Sequence, residues 1–120
     1  MQKLVNSLTF ILLIVSSYAD SIPPNHAGRM KAGTDLFKKT IRPTLIENCL
    51  KCHGDEKVRS GLDISTRELL LEGGETEAAI NLEKPEKSYL LSLIRHEEEP
   101  EMPPKKAKLP DSLIADFQKW

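Results

Sequence analysis

The sequence predicts an all-α fold, a small helical domain with long loops, and three observations predict it. Apolar residues recur at three- and four-residue steps in several segments, as one buried face of a helix requires. No alternation of apolar and polar residues runs long enough to mark a strand. Prolines, glycines and a Ser-Thr-Arg-Glu run stand where such helices would start and stop.

The first element precedes the domain. Lys3, the apolar run from Leu8 to Val15 and the small residues around Ser17-Tyr18-Ala19 form a signal-peptide pattern over residues 1–19, with cleavage expected after Ala19. The run is short for a spanning helix, so an uncleaved anchor is the alternative and no other membrane span is expected. Periplasmic or secreted localisation follows. Residues 20–34 hold Pro23-Pro24, Gly28 and Gly33 with little apolar periodicity, and they read as a linker or flexible arm.

The domain itself is read over residues 35–120. Leu36, Phe37, Ile41, Leu45, Ile46 and Cys49 make a helical stripe that Pro43 interrupts. A short turn is expected before that proline, and a second helix from Arg42-Pro43, which delivers Cys49. Gly54 suits a helix stop, with a polar loop from Asp55 to Gly61. Ser65-Thr66-Arg67-Glu68 has the capping-box pattern, Ser65 and Glu68 satisfying reciprocal backbone donors. Leu69, Leu70 and Leu71 follow, and Gly73-Gly74 ends that helix. A further helix is expected from Pro85 to about His96, and a last one from near Asp111, presenting Leu113, Ile114, Phe117 and Trp120 on one side. That pattern is still running at Trp120 without a terminating residue, so the domain is expected to be truncated at its C-terminal end.

The chemistry concentrates in Cys49-Leu50-Lys51-Cys52-His53, which uses both cysteines of the chain. This spacing reads as covalent attachment of one haem c: two thiols can reach the two vinyl groups of a porphyrin, and the next side chain lies under the iron. His53 is then the proximal axial ligand. Structural zinc would need four ligands, and beyond this pair only His26 and His96 are at hand, in distant and unpatterned positions. A redox dithiol belongs beside a βαβ pattern, which is absent, and a Cys49–Cys52 disulfide would close a very small loop. Haem c is attached outside the cytoplasm, in agreement with the export pattern. Cleavage would leave a chain of about 100 residues with few aromatics, a size at which a porphyrin would add needed apolar surface.

Met102, followed by Pro103-Pro104, is the candidate sixth ligand. A thioether opposite a histidine raises the reduction potential relative to two histidines, which suits an electron carrier. His96 would give a bis-histidine site instead, an unfilled sixth position would leave the iron open to water or small ligands, and Met30 lies in the arm. The cofactor-binding set is therefore Cys49, Cys52, His53 and Met102, with His53 and Met102 on the iron and no catalytic residue. Lys105, Lys106 and Lys108 could steer an acidic redox partner protein, or be solvated loop residues like Glu97, Glu98, Glu99 and Glu101. Arg42 and Arg59 could pair with haem propionates. Tyr89 and Trp120 read as core residues. A formal charge of −1 with interspersed signs gives no case for nucleic-acid binding.

Together with this motif, Phe37, Ile41-Arg42-Pro43, Ser60-Gly61-Leu62, Thr66-Arg67, Gly73-Gly74, Pro85, Ser88, His96, Met102-Pro103-Pro104 and Lys108-Leu109 resemble the planctomycete-type cytochrome c domain over about residues 36 to 120. The resemblance implies a cytochrome c-like fold wrapped around one haem with His and Met ligation. It also implies an N-terminal module of a longer exported protein, with further domains C-terminal in the same polypeptide. Glu75 to Ala79 departs from the Gly-Pro-containing turn usual in the family. The leading expectation is single-electron transfer by an exported monohaem domain. A haem-based sensory or structural module of a larger exported enzyme is the alternative, and a thiol-disulfide oxidoreductase a weaker one.

Overall fold

The computed structural model describes residues 22–54 and 56–120. The signal-peptide reading of residues 1–19 lies outside them. The chain divides into two units, residues 1–31 and 32–120. In the first, every described residue from 22 to 31 is exposed. Helix α1 (His26–Leu36) begins here and buries no side chain. The stretch read as a linker or flexible arm, residues 20–34, thus carries helix from His26 on. Ala27, Arg29, Met30, Lys31 and Ala32 favour a helix intrinsically, but a helix without a buried face leaves no apolar period in the sequence.

In the second unit, Phe37–Ile41 form a π-helical segment in which the Arg42 N–H donates to the Phe37 carbonyl, and α2 (Arg42–Asn48) follows directly. Leu36, Ile41 and Arg42 all have right-handed helical φ/ψ, and α2 starts at Arg42-Pro43 as expected, with Pro43 in its first turn and the separate turn before it π-helical. The wider turn carries the chain past the proline ring, which in an unbroken α-register would meet the carbonyl of residue 39. α2 stops at Asn48, ahead of Gly54. Cys49 has φ −126°, and the Cys49 and Leu50 N–H groups both donate to the Leu45 carbonyl.

A two-residue antiparallel ladder follows, β1 (His53–Gly54) with β2 (Lys57–Val58), His53 opposite Val58. The all-α expectation is corrected to this extent: about half of the described residues are helical, and this small sheet accompanies them. Strands of two residues are too short to show a period. In α3 (Arg67–Glu72) the cap is Thr66, whose hydroxyl accepts from the Leu69 N–H at 3.2 Å, not Ser65, whose N–H is drawn to the Asp63 carboxylate at 2.8 Å. Gly73 ends the helix at φ 80°, where a Cβ would stand 2.7 Å from the Ala78 Cα.

The helix expected from Pro85 is split. Pro85–Lys87 is a single 3-10 turn, Ser88 is extended, and α4 is confined to Tyr89–Ile94. The Ser88 hydroxyl accepts the Asn81 N–H at 3.0 Å, which ties this buried residue to the preceding loop instead of a helix. α5 (Asp111–Lys119) starts where expected and buries Ile114 and Phe117. These join Ile41, Leu45, Leu91, Ile94 and Leu109 in one core. Trp120 stacks on Phe37 with ring centroids 5.4 Å apart, and Arg95 donates to Gln118 at 2.7 Å, so α5 is tied to both the π segment and α4. Among the described residues no helix is long and apolar enough to cross a membrane.

Candidate functional site

α2 ends by placing Cys49 against the core, and the chain then turns so that Cys52 N–H and His53 N–H both donate to the Cys49 carbonyl at 3.0 Å. The same segment is knitted further on. Arg59 N–H donates to the Cys52 carbonyl, Ile64 N–H to the His53 carbonyl, and the His53 ring places Nδ1 3.1 Å from the Arg59 carbonyl. A carbonyl only accepts, so Nδ1 is the donor in this contact, which in the neutral ring leaves Nε2 as the nitrogen with which imidazole binds a metal. Gly54 permits the tight packing: a Cβ there would lie 2.6 Å from Leu50 Cδ1 and 2.8 Å from the Leu50 carbonyl oxygen.

Cys49, Cys52 and His53 line one cavity together with Met102, Pro103 and Pro104. Its volume is about 160 Å³, and its walls are mainly aliphatic, with Leu62, Ile64, Leu70, Leu90 and Leu93 among them. Both cysteines are free thiols. Burial pushes the Cys49 thiol up to about 11, the nearby Lys106 ammonium pulling it down and Cys52 pushing it up by smaller amounts. At neutral pH it is a thiol, not a thiolate nucleophile.

Met102 comes from the irregular stretch between α4 and α5. Its N–H donates to the Leu93 carbonyl at 3.1 Å, and its own carbonyl lies 3.1 Å from His96 Nε2. The structure thus brings all four expected site residues to one cavity. His96, the bis-histidine alternative, is not part of the lining. Neither are Arg42 and Arg59. Arg42 borders a separate depression with Phe37 and Ile46, and Arg59 enters the site only through its carbonyl. Lys105, Lys106 and Lys108 are exposed, and Lys108 pairs with Asp111 at 2.8 Å. Tyr89, expected in the core, lines the cavity.

Sequence reasoning missed three contributors: the Arg59 carbonyl, the close approach at Gly54 and the hydrogen bond from His96. A glycine directly after the motif was a signal for the second, but backbone acceptors leave none. Among the described residues no three His, Cys, Asp or Glu side chains group as a metal-ion site would require. The donor set is the one haem c uses: two thiols at the fixed spacing, an imidazole, a thioether, and a mainly apolar cavity that all four line.

Residues 49–106 match the family model described as Planctomycete cytochrome C, the family that the sequence resembles, over a shorter span than residues 36 to 120. No curated protein and no solved structure matches the chain.

Proposed function

We propose that this chain, whose residues 49–106 belong to the planctomycete cytochrome C family, binds one haem c covalently and serves as a single-electron carrier outside the cytoplasm. One observation carries the reading: Cys49, Cys52, His53 and Met102 line a single aliphatic cavity while the His53 Nδ1–H is committed to the Arg59 carbonyl. Cys49 and Cys52 would tether the porphyrin by thioether bonds. His53 would ligate through Nε2, the Arg59 carbonyl fixing its ring and raising its basicity. Met102 would occupy the sixth position. When bound, the haem supplies a one-electron iron couple. The aliphatic walls would exclude water from it, and the protein's redox partner would meet it at the cavity mouth. The thiol-disulfide alternative has less support at Cys49, because a thiol held near 11 by burial supplies little thiolate for exchange at neutral pH.

The test is the visible spectrum of the protein made with haem-maturation machinery. The chromophore is expected to survive acid-acetone extraction in the wild type and to be extracted from the Cys49→Ser/Cys52→Ser double variant. The weak long-wavelength band of sulfur-ligated ferric haem is expected in the wild type and lost in Met102→Ala, with a lowered reduction potential. An extractable wild-type chromophore sinks covalent attachment. A band that persists in Met102→Ala sinks the methionine.

A further inference from the structure

We infer that His96 is a positioning residue for Met102: a ring outside the cavity fixes where the methionine thioether can lie. The inference rests on the haem reading above and goes beyond it. Between Ile94 and Asp111 the chain has no helix or strand to hold Met102 in place. Two hydrogen bonds fix its peptide groups instead, and both partners lie at the C-terminal end of α4: the Leu93 carbonyl at 3.1 Å from its N–H, and His96 Nε2 at 3.1 Å from its carbonyl. Because a carbonyl cannot donate, Nε2 must carry the proton in this arrangement.

The backbone of His96 is itself unusual. Its φ of 58° is left-handed, a conformation that carries a steric cost for a residue with a Cβ. A turn alone would be served better by glycine or asparagine, neither of which can extend a ring to Met102. The ring is nearly out of solvent, its side chain 16% exposed, and its Nδ1 faces the Glu101 carboxylate at 3.5 Å. His96 is thus held between the residue before Met102 and Met102 itself, without touching the cavity. Its effect on the iron would be indirect. With the ring gone, the loop gains conformations, and the thioether competes less well with an added ligand.

The test uses the full chain with haem attached, comparing wild type with His96→Ala, His96→Gly and His96→Gln. Glycine relieves the left-handed strain that alanine keeps, so an effect shared by both comes from the missing ring. The readout is binding of free imidazole to the ferric haem, which must displace the methionine. Both variants are expected to bind imidazole roughly five- to tenfold tighter, as loss of one hydrogen bond predicts. His96→Gln, whose amide can donate in place of Nε2, is expected near the wild type. Backbone amide exchange at Met102 should quicken in the first two and not in the third.

Unchanged imidazole affinity in both the alanine and glycine variants, in a wild type that shows the sulfur band, overturns this inference and leaves the haem reading standing. Loss of helix content in all three variants also overturns it, since a positioning residue spares the fold. A wild type without covalent chromophore or sulfur band overturns both readings.

Discussion

Two of the chain segments that line the cavity are secured in contrasting ways. Residues 49–64 start from the end of α2, run through a two-strand ladder and hydrogen-bond repeatedly within themselves, so that the His53 ring is oriented by a backbone carbonyl six residues away. Residues 93–104 leave α4 and have no regular structure after Ile94; Met102 depends on one backbone carbonyl and one side chain. Backbone partners survive substitution, whereas a side-chain partner is lost with a single change. On the haem reading proposed above, the first segment would suit permanent attachment and the second a ligand that can be loosened. Substitutions in the two should fail differently.

The largest expected effect is in the second segment. Ile94 is 2% exposed, sits in the core, lines the cavity and ends α4 two residues before His96. Ile94→Ala is expected to cost about 2–5 kcal/mol in denaturant unfolding. In the haem-loaded variant the sulfur band should be lost at lower denaturant than the helical signal. Coincident loss of the two would mean that Met102 is held as firmly as the rest of the fold, which breaks the comparison.

Gly54→Ala probes the first segment and should cost less. The glycine does not have a positive φ, so the penalty is steric: the new Cβ meets a side-chain carbon that can move and a backbone oxygen at 2.8 Å that cannot without disturbing the turn. About 1–3 kcal/mol is expected, with a lower yield of covalent haem and an unchanged sulfur band in the fraction that forms. Gly33→Ala is the control, because nothing lies within 4 Å of its added Cβ inside α1. It should stabilise slightly, by roughly 0.5–1 kcal/mol. A Gly54→Ala variant as stable as this control would show the turn to be slack.

The difference between the segments also explains what could be read in advance. Cys49, Cys52 and His53 were legible because they form a motif of fixed spacing along the chain, and Ile114 and Phe117 because burial on one helix face fixes theirs. Met102 was legible only by residue type. What places it, the His96 ring and the Leu93 carbonyl, follows from the loop's path, which no period records. α1 escaped notice because it buries nothing, and the start of α4 was misplaced because Pro85 begins a helical turn that Ser88 then ends. The turn before Pro43 and the helix from Arg42 were legible, but the π form of that turn was not. A π turn absorbs the ring at the level of hydrogen bonding, where the apolar stripe is unchanged.

The smallest expected effect concerns the far end of the Met102 loop. Lys108 Nζ lies 2.8 Å from the Asp111 carboxylate where α5 begins, and that hydrogen bond, with the lysine charge, holds the carboxyl below its ordinary value. A carboxyl depressed in the folded state contributes stability above its unfolded pKa, and loses it as the pH falls through the folded one. The Tm of Asp111→Asn should therefore lie slightly below the wild type at neutral pH, and the gap should close on acidification below the carboxylate range. Both partners are largely exposed, so high salt should close it too. The sulfur band should not respond, because the hydrogen bonds that hold Met102 run to α4. A band that weakens in Asp111→Asn at neutral pH would show that the loop is anchored from both ends. Met102 would then be secured by the α5 junction as well as by His96, and the second segment would be less dependent on one side chain than its hydrogen bonds imply.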